Sequence, residues 1–145
     1  MQMLLELEHE EDIEGWVRSR LDQGQVIMGF GHAVYKTGDP RAVYLKRMGQ
    51  RLAVQHGGRW QEISERIEEA AQANFAAQGK RGICANVDFN SAPVYYLMGI
   101  PLDLMTPLFA VARVAGWCAH IMEEQFADVQ GKPALYRPQA EYVGE

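Results

Sequence analysis

The sequence predicts a mainly α-helical, multi-helical fold with about five helices and an extended C-terminal arm. Apolar residues recur every three or four positions in several segments, and glycines and prolines separate these segments. No stretch gives a convincing strand pattern. The 145 residues are enough for one compact unit with a sizeable core.

The first two predicted helices begin at aspartates. The first spans residues 13–21, and Asp12 is its expected cap. The second begins at Asp39, whose carboxylate can accept free amide hydrogen bonds, and Pro40 fits the first helical position. We therefore expect Arg41 in the first turn of this helix, which ends at the next pair of glycines.

The third predicted helix runs from about Trp60 to Gln78, and the fourth runs from near Asp88 to Met98. Either Asp88 or Asn86 would cap the fourth, since both side chains accept amide hydrogen bonds. The third should turn one apolar face inward. The residues of that face are Ile63, Ile67, Ala70, Ala71 and Phe75.

The fifth predicted helix, Thr106 to about Phe126, is apolar on nearly every face. A helix of that kind is buried in a globular protein, so we expect it to be central. Arg113 and His120 lie within it, which argues against a membrane span. The tail from Asp128 to Glu145 has two prolines and no periodicity, and this predicts an extended arm.

Charge and composition exclude several function classes. A net charge of −5 leaves no broad cationic surface, so we expect no nucleic-acid partner. Cys84 and Cys118 lack the spacing of metal ligands, which predicts no metal and two buried thiols in a reducing compartment, the cytoplasm. The N-terminus has no basic segment followed by an apolar one, so we expect neither a secretory signal nor a membrane partner.

Five polar residues on separate segments stand out from their surroundings. Asp88 and His32 have apolar or glycine neighbours, Arg41 follows a helix start, Arg113 interrupts an apolar helix, and Arg137 precedes a proline. Guanidinium groups bind carboxylates through two parallel hydrogen bonds, and carboxylate and imidazole groups transfer protons, so together they indicate one anion-binding, proton-moving site. Taken singly, they have plainer interpretations as a helix cap, a turn residue, and structural or solvated charges.

These segments resemble the C-terminal part of the citrate synthase family, which includes the 2-methylcitrate synthases. The resemblance covers nearly the whole chain in the family's order. The motifs that carry it are Gly29-Phe30-Gly31-His32-Ala33-Val34-Tyr35-Lys36 with Asp39-Pro40-Arg41, Asn86-Val87-Asp88, Gly99-Ile100-Pro101, Thr106-Pro107-Leu108-Phe109-Ala110 with Arg113, Gly116-Trp117 and His120, and Arg137-Pro138.

Two departures accompany the resemblance. The family's first catalytic histidine belongs to a His-Gly-Gly-Ala type motif that should come just before Met1, and the 145 residues contain no such motif. Ala85, Asn90 and Ala92 differ from the residues that are usual in the family. The choice between acetyl-CoA and propionyl-CoA therefore stays open, because one methylene group is worth only about 1–3 kcal/mol of discrimination.

The resemblance implies a domain division and a reaction. Residues 1–103 would form a region like the family's small domain, and residues 104–145 would form the return helix and arm of its large domain. The reaction would condense acetyl-CoA or propionyl-CoA with oxaloacetate to give citrate or 2-methylcitrate and CoA. No cofactor is implied beyond the acyl-CoA cosubstrate, and the chain alone would be inactive without the missing histidine.

The same resemblance implies a role for each candidate residue. Asp88 would remove the methyl proton while Phe89 keeps its carboxylate poorly hydrated, and His32 would donate a hydrogen bond to the keto oxygen. The chain would act as a homodimer, or with a partner that carries the missing large domain. Oxaloacetate would be bound by His32, Arg41, Arg113 and, from the neighbouring subunit, Arg137. CoA would be contacted by Gly29, Gly31, Lys36 and Asn86.

Two other function classes stay open from the sequence. The chain could bind CoA and dicarboxylates without chemistry, as a regulatory subunit, and the absent histidine motif favours this. It could also be a structural helical domain whose apolar fifth helix packs against a partner.

Overall fold

The computed structural model describes residues 1–126, and α-helices dominate this range. The described residues contain six α-helices, one short 3-10 helix at Leu102–Leu104 and no strand, which confirms the mainly α fold. The predicted C-terminal arm lies outside the described residues. The helices are α1 Gln2–Glu6, α2 Ile13–Asp22, α3 Ala42–His56, α4 Trp60–Ala77, α5 Val87–Leu97 and α6 Met105–Phe126.

The chain divides into two compact units, of which the first is Met1–Met105 and the second begins at Thr106. The first unit contains α1 to α5 and the buried core. The second contains all of α6 after its first residue. The assignment of residues 1–103 and 104–145 to a small and a large domain stays a prediction.

Helix α4 is the centre of the first unit. It packs against α1, α2, α3 and α5. Arg66 on α4 bonds to Glu14 on α2 at 2.6 Å. Lys46 on α3 bonds to Glu68 on α4 at 2.7 Å. The predicted inward face is confirmed, since the buried residues of α4 include Ile63, Ile67, Ala70, Ala71 and Phe75.

The caps of α2 and α5 follow the sequence signals. The Asp12 carboxylate accepts the Gly15 amide at 2.9 Å and so caps α2 as predicted. Asn86 rather than Asp88 caps α5, because its Oδ1 accepts the amides of Asp88 and Phe89. Asp88 therefore lies inside the first turn, and its carboxylate is not the cap.

The predicted start of α3 at Asp39 is wrong by about two residues. The helix begins at Ala42, and Arg41 occupies the cap position instead of the first turn. The Asp39 carboxylate accepts the backbone N–H of Arg41 and two of its guanidinium N–H groups, so it caps no helical amide. The end of the helix is as predicted, at His56 before Gly57, whose φ is 72°.

Helix α6 contradicts the prediction of a central, buried helix. None of its residues is buried in the described part of the chain, and Val111 is 71% exposed. Cys118 is also exposed, so the prediction of a buried thiol is wrong there, whereas Cys84 is partly buried. Within residues 1–126, the stretch Leu102–Phe126 alone is long and apolar enough to cross a membrane. The prediction assumed that an apolar helix is covered by its own chain, and within residues 1–126 no residue of α6 is covered in this way.

Candidate active site

The glycine-rich loop is joined to the start of α5 by backbone hydrogen bonds. The Asn86 amide donates to the Gly29 carbonyl at 2.8 Å, and the Gly31 amide donates to the Cys84 carbonyl at 2.9 Å. Between these bonds the two segments form an isolated antiparallel bridge. The Asn86 side chain adds a bond from Nδ2 to the Gly31 carbonyl at 3.1 Å. The loop with the candidate imidazole and the helix with the candidate base therefore lie side by side.

The two loop glycines have different surroundings. Gly29 has a φ of 85°, and a Cβ on it would lie 2.6 Å from the Cβ of Phe89. Gly31 has a φ of 90°, and no atom lies within 4 Å of the position its Cβ would take. Gly29 thus allows close packing of the loop on α5, while Gly31 borders open space. Contact of either residue with CoA stays a prediction.

His32 is partly buried, and the loop backbone fixes its tautomer. The amides of Val34 and Tyr35 donate to its Nδ1 at 3.0 and 3.1 Å. A nitrogen that accepts N–H groups carries no proton, so the neutral ring has its hydrogen on Nε2. The loop therefore presents His32 as a hydrogen-bond donor at Nε2.

Lys36 closes the loop on itself. Its exposed ammonium donates from Nζ to the His32 carbonyl at 2.8 Å. An ammonium has three N–H donors, so this bond leaves others for a phosphate. The predicted contact with CoA stays a prediction.

Arg41 forms a two-pronged ion pair with Asp39. Nε donates to Oδ1 at 2.9 Å and Nη2 donates to Oδ2 at 2.7 Å. The Asp39 side chain is 1% exposed, whereas that of Arg41 is 38% exposed. The guanidinium lowers the pKa of Asp39 from 3.8 to about 2, so this carboxyl is ionised at neutral pH. The same hydrogen bond raises the pKa of Arg41, and the nearby charge of Asp88 adds to the effect.

The Tyr35 ring lies close to both the imidazole and the guanidinium. Its ring centroid is 4.6 Å from that of His32, and Cζ of Arg41 lies 5.8 Å from the tyrosine ring centroid. The structure thus brings His32 and Arg41 into one cluster, and Asp88 lies within electrostatic range of it.

Asp88 is exposed, which differs from the poorly hydrated environment expected from its apolar neighbours. Phe89 is buried in the core, and its ring centroid lies 5.0 Å from that of Phe30. A cavity of about 420 Å³ opens beside Asp88, and its other walls include Met28 and Ala92. An apolar group of modest size therefore has room next to the carboxylate.

Arg113 and Arg137 are not joined to this cluster by the described structure. Arg113 lies on α6, in the second unit, where its side chain is exposed and Cζ is 5.5 Å from the ring centroid of Phe109. Arg137 lies outside the described residues. Residues 1–126 also contain no group of His, Cys, Asp and Glu that could hold a metal ion.

The family model described as the citrate synthase C-terminal domain matches residues 1–139. The chain belongs to the citrate synthase family. It is 44% identical over 145 residues to citrate synthase 2 of Bacillus subtilis, and 39% identical over 146 residues to 2-methylcitrate synthase 2 of Corynebacterium glutamicum. These alignments cover 99% and 100% of this chain but 36% and 35% of the relatives, so the chain spans about a third of their length.

Solved citrate synthases have the same fold over this region. The citrate synthase of Thermotoga maritima matches with a TM-score of 0.74 at 39% identity, over 99% of this chain and 37% of that one. The citrate synthase of Thermoplasma acidophilum matches with a TM-score of 0.76 at 35% identity, over 98% and 37%. The latter structure is a ternary complex with carboxymethyl coenzyme A and oxaloacetate.

Two members of the cluster, Tyr35 and Asp39, were not among the site residues predicted from the sequence. Tyr35 was part of a family motif without a role of its own, and Asp39 was interpreted only as a helix cap. The spacing of Asp39 and Arg41, two residues apart around a proline, is a signal for a local ion pair. A tyrosine three residues after a histidine gives no comparable signal, because loop geometry decides whether the rings meet.

Proposed function

We propose that this chain forms the part of a citrate synthase-type acyltransferase that contacts oxaloacetate and CoA. The enzyme would condense acetyl-CoA or propionyl-CoA with oxaloacetate and release citrate or 2-methylcitrate and CoA. The observation that supports this most is the fixed Nε2–H donor of His32 in one cluster with Arg41, within a family of citrate and methylcitrate synthases.

The chemistry assigns one step to each residue. Asp88 takes a proton from the carbon next to the thioester, and the resulting enolate carbon attacks the keto carbon of oxaloacetate. His32 donates its Nε2–H to the keto oxygen, where negative charge develops as the carbon–carbon bond forms. Water then cleaves the thioester, which gives a carboxylate and CoA. No cofactor beyond the acyl-CoA takes part.

The arginine side chains bind the negatively charged carboxylates of oxaloacetate. Arg41 binds one carboxylate of oxaloacetate, and Arg113 and Arg137 bind the remainder of the dianion. Arg137 comes from the second subunit of a homodimer. Support for these ligands comes from the Thermoplasma acidophilum relative, whose structure contains oxaloacetate and a CoA derivative. The CoA contacts are Gly29, Gly31, Lys36 and Asn86.

The 145 residues would need a further segment for turnover. Loss of a proton from carbon leaves an enolate that requires a second hydrogen-bond donor, and the family's histidine motif is not among these residues. The donor would come from the region that makes up the other two thirds of the relatives. The assembly of this region with the chain would be cytoplasmic.

Reconstitution tests the proposal. The chain is mixed with the preceding N-terminal piece of the Bacillus subtilis relative, and CoA release from acetyl-CoA and oxaloacetate is measured. We expect turnover by the mixture and negligible turnover by the chain alone. His32→Ala and Asp88→Asn should each lower kcat at least about a hundredfold, because each removes a group that acts on a proton or on developing charge.

Asp22→Asn, an exposed change at the end of α2, is the matched control and should leave kcat unchanged. Equal turnover by Asp88→Asn and the unmodified chain would contradict the assigned base. Turnover by the chain alone near that of whole synthases would contradict the need for a second segment.

A non-catalytic CoA- and dicarboxylate-binding subunit is the second candidate. The exposure of Asp88 in the described chain favours it, because a base for carbon acids works best out of water. Calorimetric titration separates the classes. A binding subunit gives saturable CoA binding and no turnover in any mixture, and a structural helical domain gives neither.

A further inference from the structure

We propose that Asp39 is a positioning residue, which holds one edge of the Arg41 guanidinium so that another edge receives a carboxylate of oxaloacetate. This role rests on the proposed oxaloacetate site and deepens it. Asp39 itself would not touch the substrate.

The hydrogen bonds define which edge is free. A guanidinium has five N–H donors, and the Nε and Nη2 donors on one edge are used by Asp39 at 2.9 and 2.7 Å. The end formed by Nη1 and the second N–H of Nη2 has no partner in this ion pair. That end also matches the two oxygens of a carboxylate. Asp39 thus selects end-on binding of the substrate.

Burial distinguishes the two partners. The Asp39 side chain is 1% exposed and also accepts the Arg41 backbone N–H at 3.0 Å. The backbone amide and the guanidinium of Arg41 therefore both fix the orientation of the Asp39 carboxylate. The Arg41 side chain is 38% exposed and remains within reach of a ligand. A buried support with an accessible cation is the arrangement that orients a binding group.

The free edge belongs to the cluster that contains the candidate keto donor. Tyr35 contacts the His32 ring at 4.6 Å and lies 5.8 Å from the Arg41 guanidinium carbon. A small α-keto diacid carries a carboxylate next to its keto group, so under the proposed function the keto oxygen accepts the Nε2–H of His32 while that carboxylate binds the end of Arg41. Misorientation of Arg41 would separate these two contacts.

The alternative is a local ion pair that only stabilises the turn before α3. The two roles predict opposite changes in oxaloacetate affinity when the Asp39 carboxylate is removed. Removing a carboxylate near a cation makes the site more positive, so by charge alone a dianion would bind more tightly. If Asp39 orients Arg41, its removal weakens binding in spite of the added positive charge.

The experiment uses the chain reconstituted with the N-terminal piece of a relative. Oxaloacetate affinity is measured by calorimetry, and kcat and both KM values by CoA release, for the unmodified chain, Asp39→Asn, Arg41→Ala and the double variant. Thermal unfolding verifies that each variant is folded, and Asp22→Asn serves as the exposed control. We expect Asp39→Asn to weaken oxaloacetate binding about tenfold or more, with little change in the KM for acyl-CoA.

The double variant isolates the coupling. We expect Asp39→Asn to have no further effect on oxaloacetate binding once Arg41→Ala is present, since its action passes through Arg41. Equal or tighter binding by Asp39→Asn would overturn the positioning role while leaving the proposed function standing. Absence of oxaloacetate binding by the unmodified assembly would overturn both.

A measurement without a variant covers the case in which Asp39→Asn does not fold. The Arg41 Nε–H signal is followed by NMR while oxaloacetate is added to the unmodified assembly. We expect this signal to keep its position at saturation, because Asp39 retains that edge. A large shift would mean that the substrate displaces Asp39, and the role would be overturned.

Discussion

His32 and Arg41 are both held by groups close to them in the chain. Two backbone amides, from Val34 and Tyr35, fix the imidazole, and Asp39 fixes the guanidinium. Such bonds form before any ligand arrives, so the donors need little rearrangement when charge develops on a substrate. Hydrogen bonds within the loop therefore preorganise His32 and Arg41. The contact of the loop with α5 determines the position of both residues relative to that helix.

Gly29 should be the most sensitive glycine of the loop. Gly29→Ala places a Cβ 2.6 Å from the Phe89 Cβ and 3.0 Å from its Cα, at a φ of 85°. Gly24→Ala is the matched control, because Gly24 has a φ of 70° with nothing within 4 Å. Both changes strain the backbone, but only the first creates a steric clash, so we expect Gly29→Ala to lose about 1–3 kcal/mol more. Urea unfolding measures the difference, and equal losses would contradict the close packing.

The sequence identifies the residues that can cap a helix, but it does not determine every hydrogen bond that they make. An aspartate before a proline is typical of a helix cap, yet the Asp39 carboxylate bonds to Arg41, and α3 starts at Ala42. The two outcomes differ only in which nearby N–H groups the carboxylate meets, and the spacing does not decide that. The choice between Asn86 and Asp88 as the cap of α5 stayed open for the same reason.

Among the helices, prediction succeeds where the signals are local. Helices α2 and α4 lie within a residue of their predicted bounds, because a cap, an apolar period and a terminating glycine all lie close together. Helix α1 was missed, since its five residues are too few for a period to show. The start of α6 was predicted to within one residue, but its predicted burial is wrong within residues 1–126, because a run of apolar residues does not locate the surface that covers it.

Asn86 caps α5 with its side-chain oxygen and bonds to the glycine-rich loop with its side-chain nitrogen, and these two functions can be separated. Asn86→Ala removes the cap of α5 and the bond to the Gly31 carbonyl, so we expect a loss of about 1–2 kcal/mol in unfolding free energy. Asn86→Asp keeps an oxygen for the helix amides but loses the donor to the loop. It should therefore cost less helix stability while shifting the amide resonance of His32, whose N–H belongs to the same peptide group as the Gly31 carbonyl. Urea unfolding and NMR give both readouts, and equal loss of stability in the two variants would argue against separate functions.

For the whole molecule, the described residues account for part of the site. His32 and Arg41 lie in one cluster within the first unit, and the charge of Asp88 acts on Arg41. Arg113 lies on the second unit and Arg137 lies outside the described residues, so their convergence on one dianion stays a prediction. The motifs between Gly29 and Pro138 identified the family, and the family model matches residues 1–139, but no motif specifies how two separate units meet.

The apolar side chains of α6 are not covered by other residues in the described part of the chain. The relatives are about three times as long as the chain, and we expect their N-terminal region to cover this helix. Val111→Glu, at a position 71% exposed on α6, should raise the solubility of the chain alone and abolish its reconstitution with the N-terminal piece. Val54→Glu is the matched control, since this valine of α3 is 88% exposed in the first unit. It should raise solubility without changing reconstitution, as measured by light scattering and CoA release. Full turnover by a Val111→Glu assembly would show that this face of α6 stays in water in the complete enzyme.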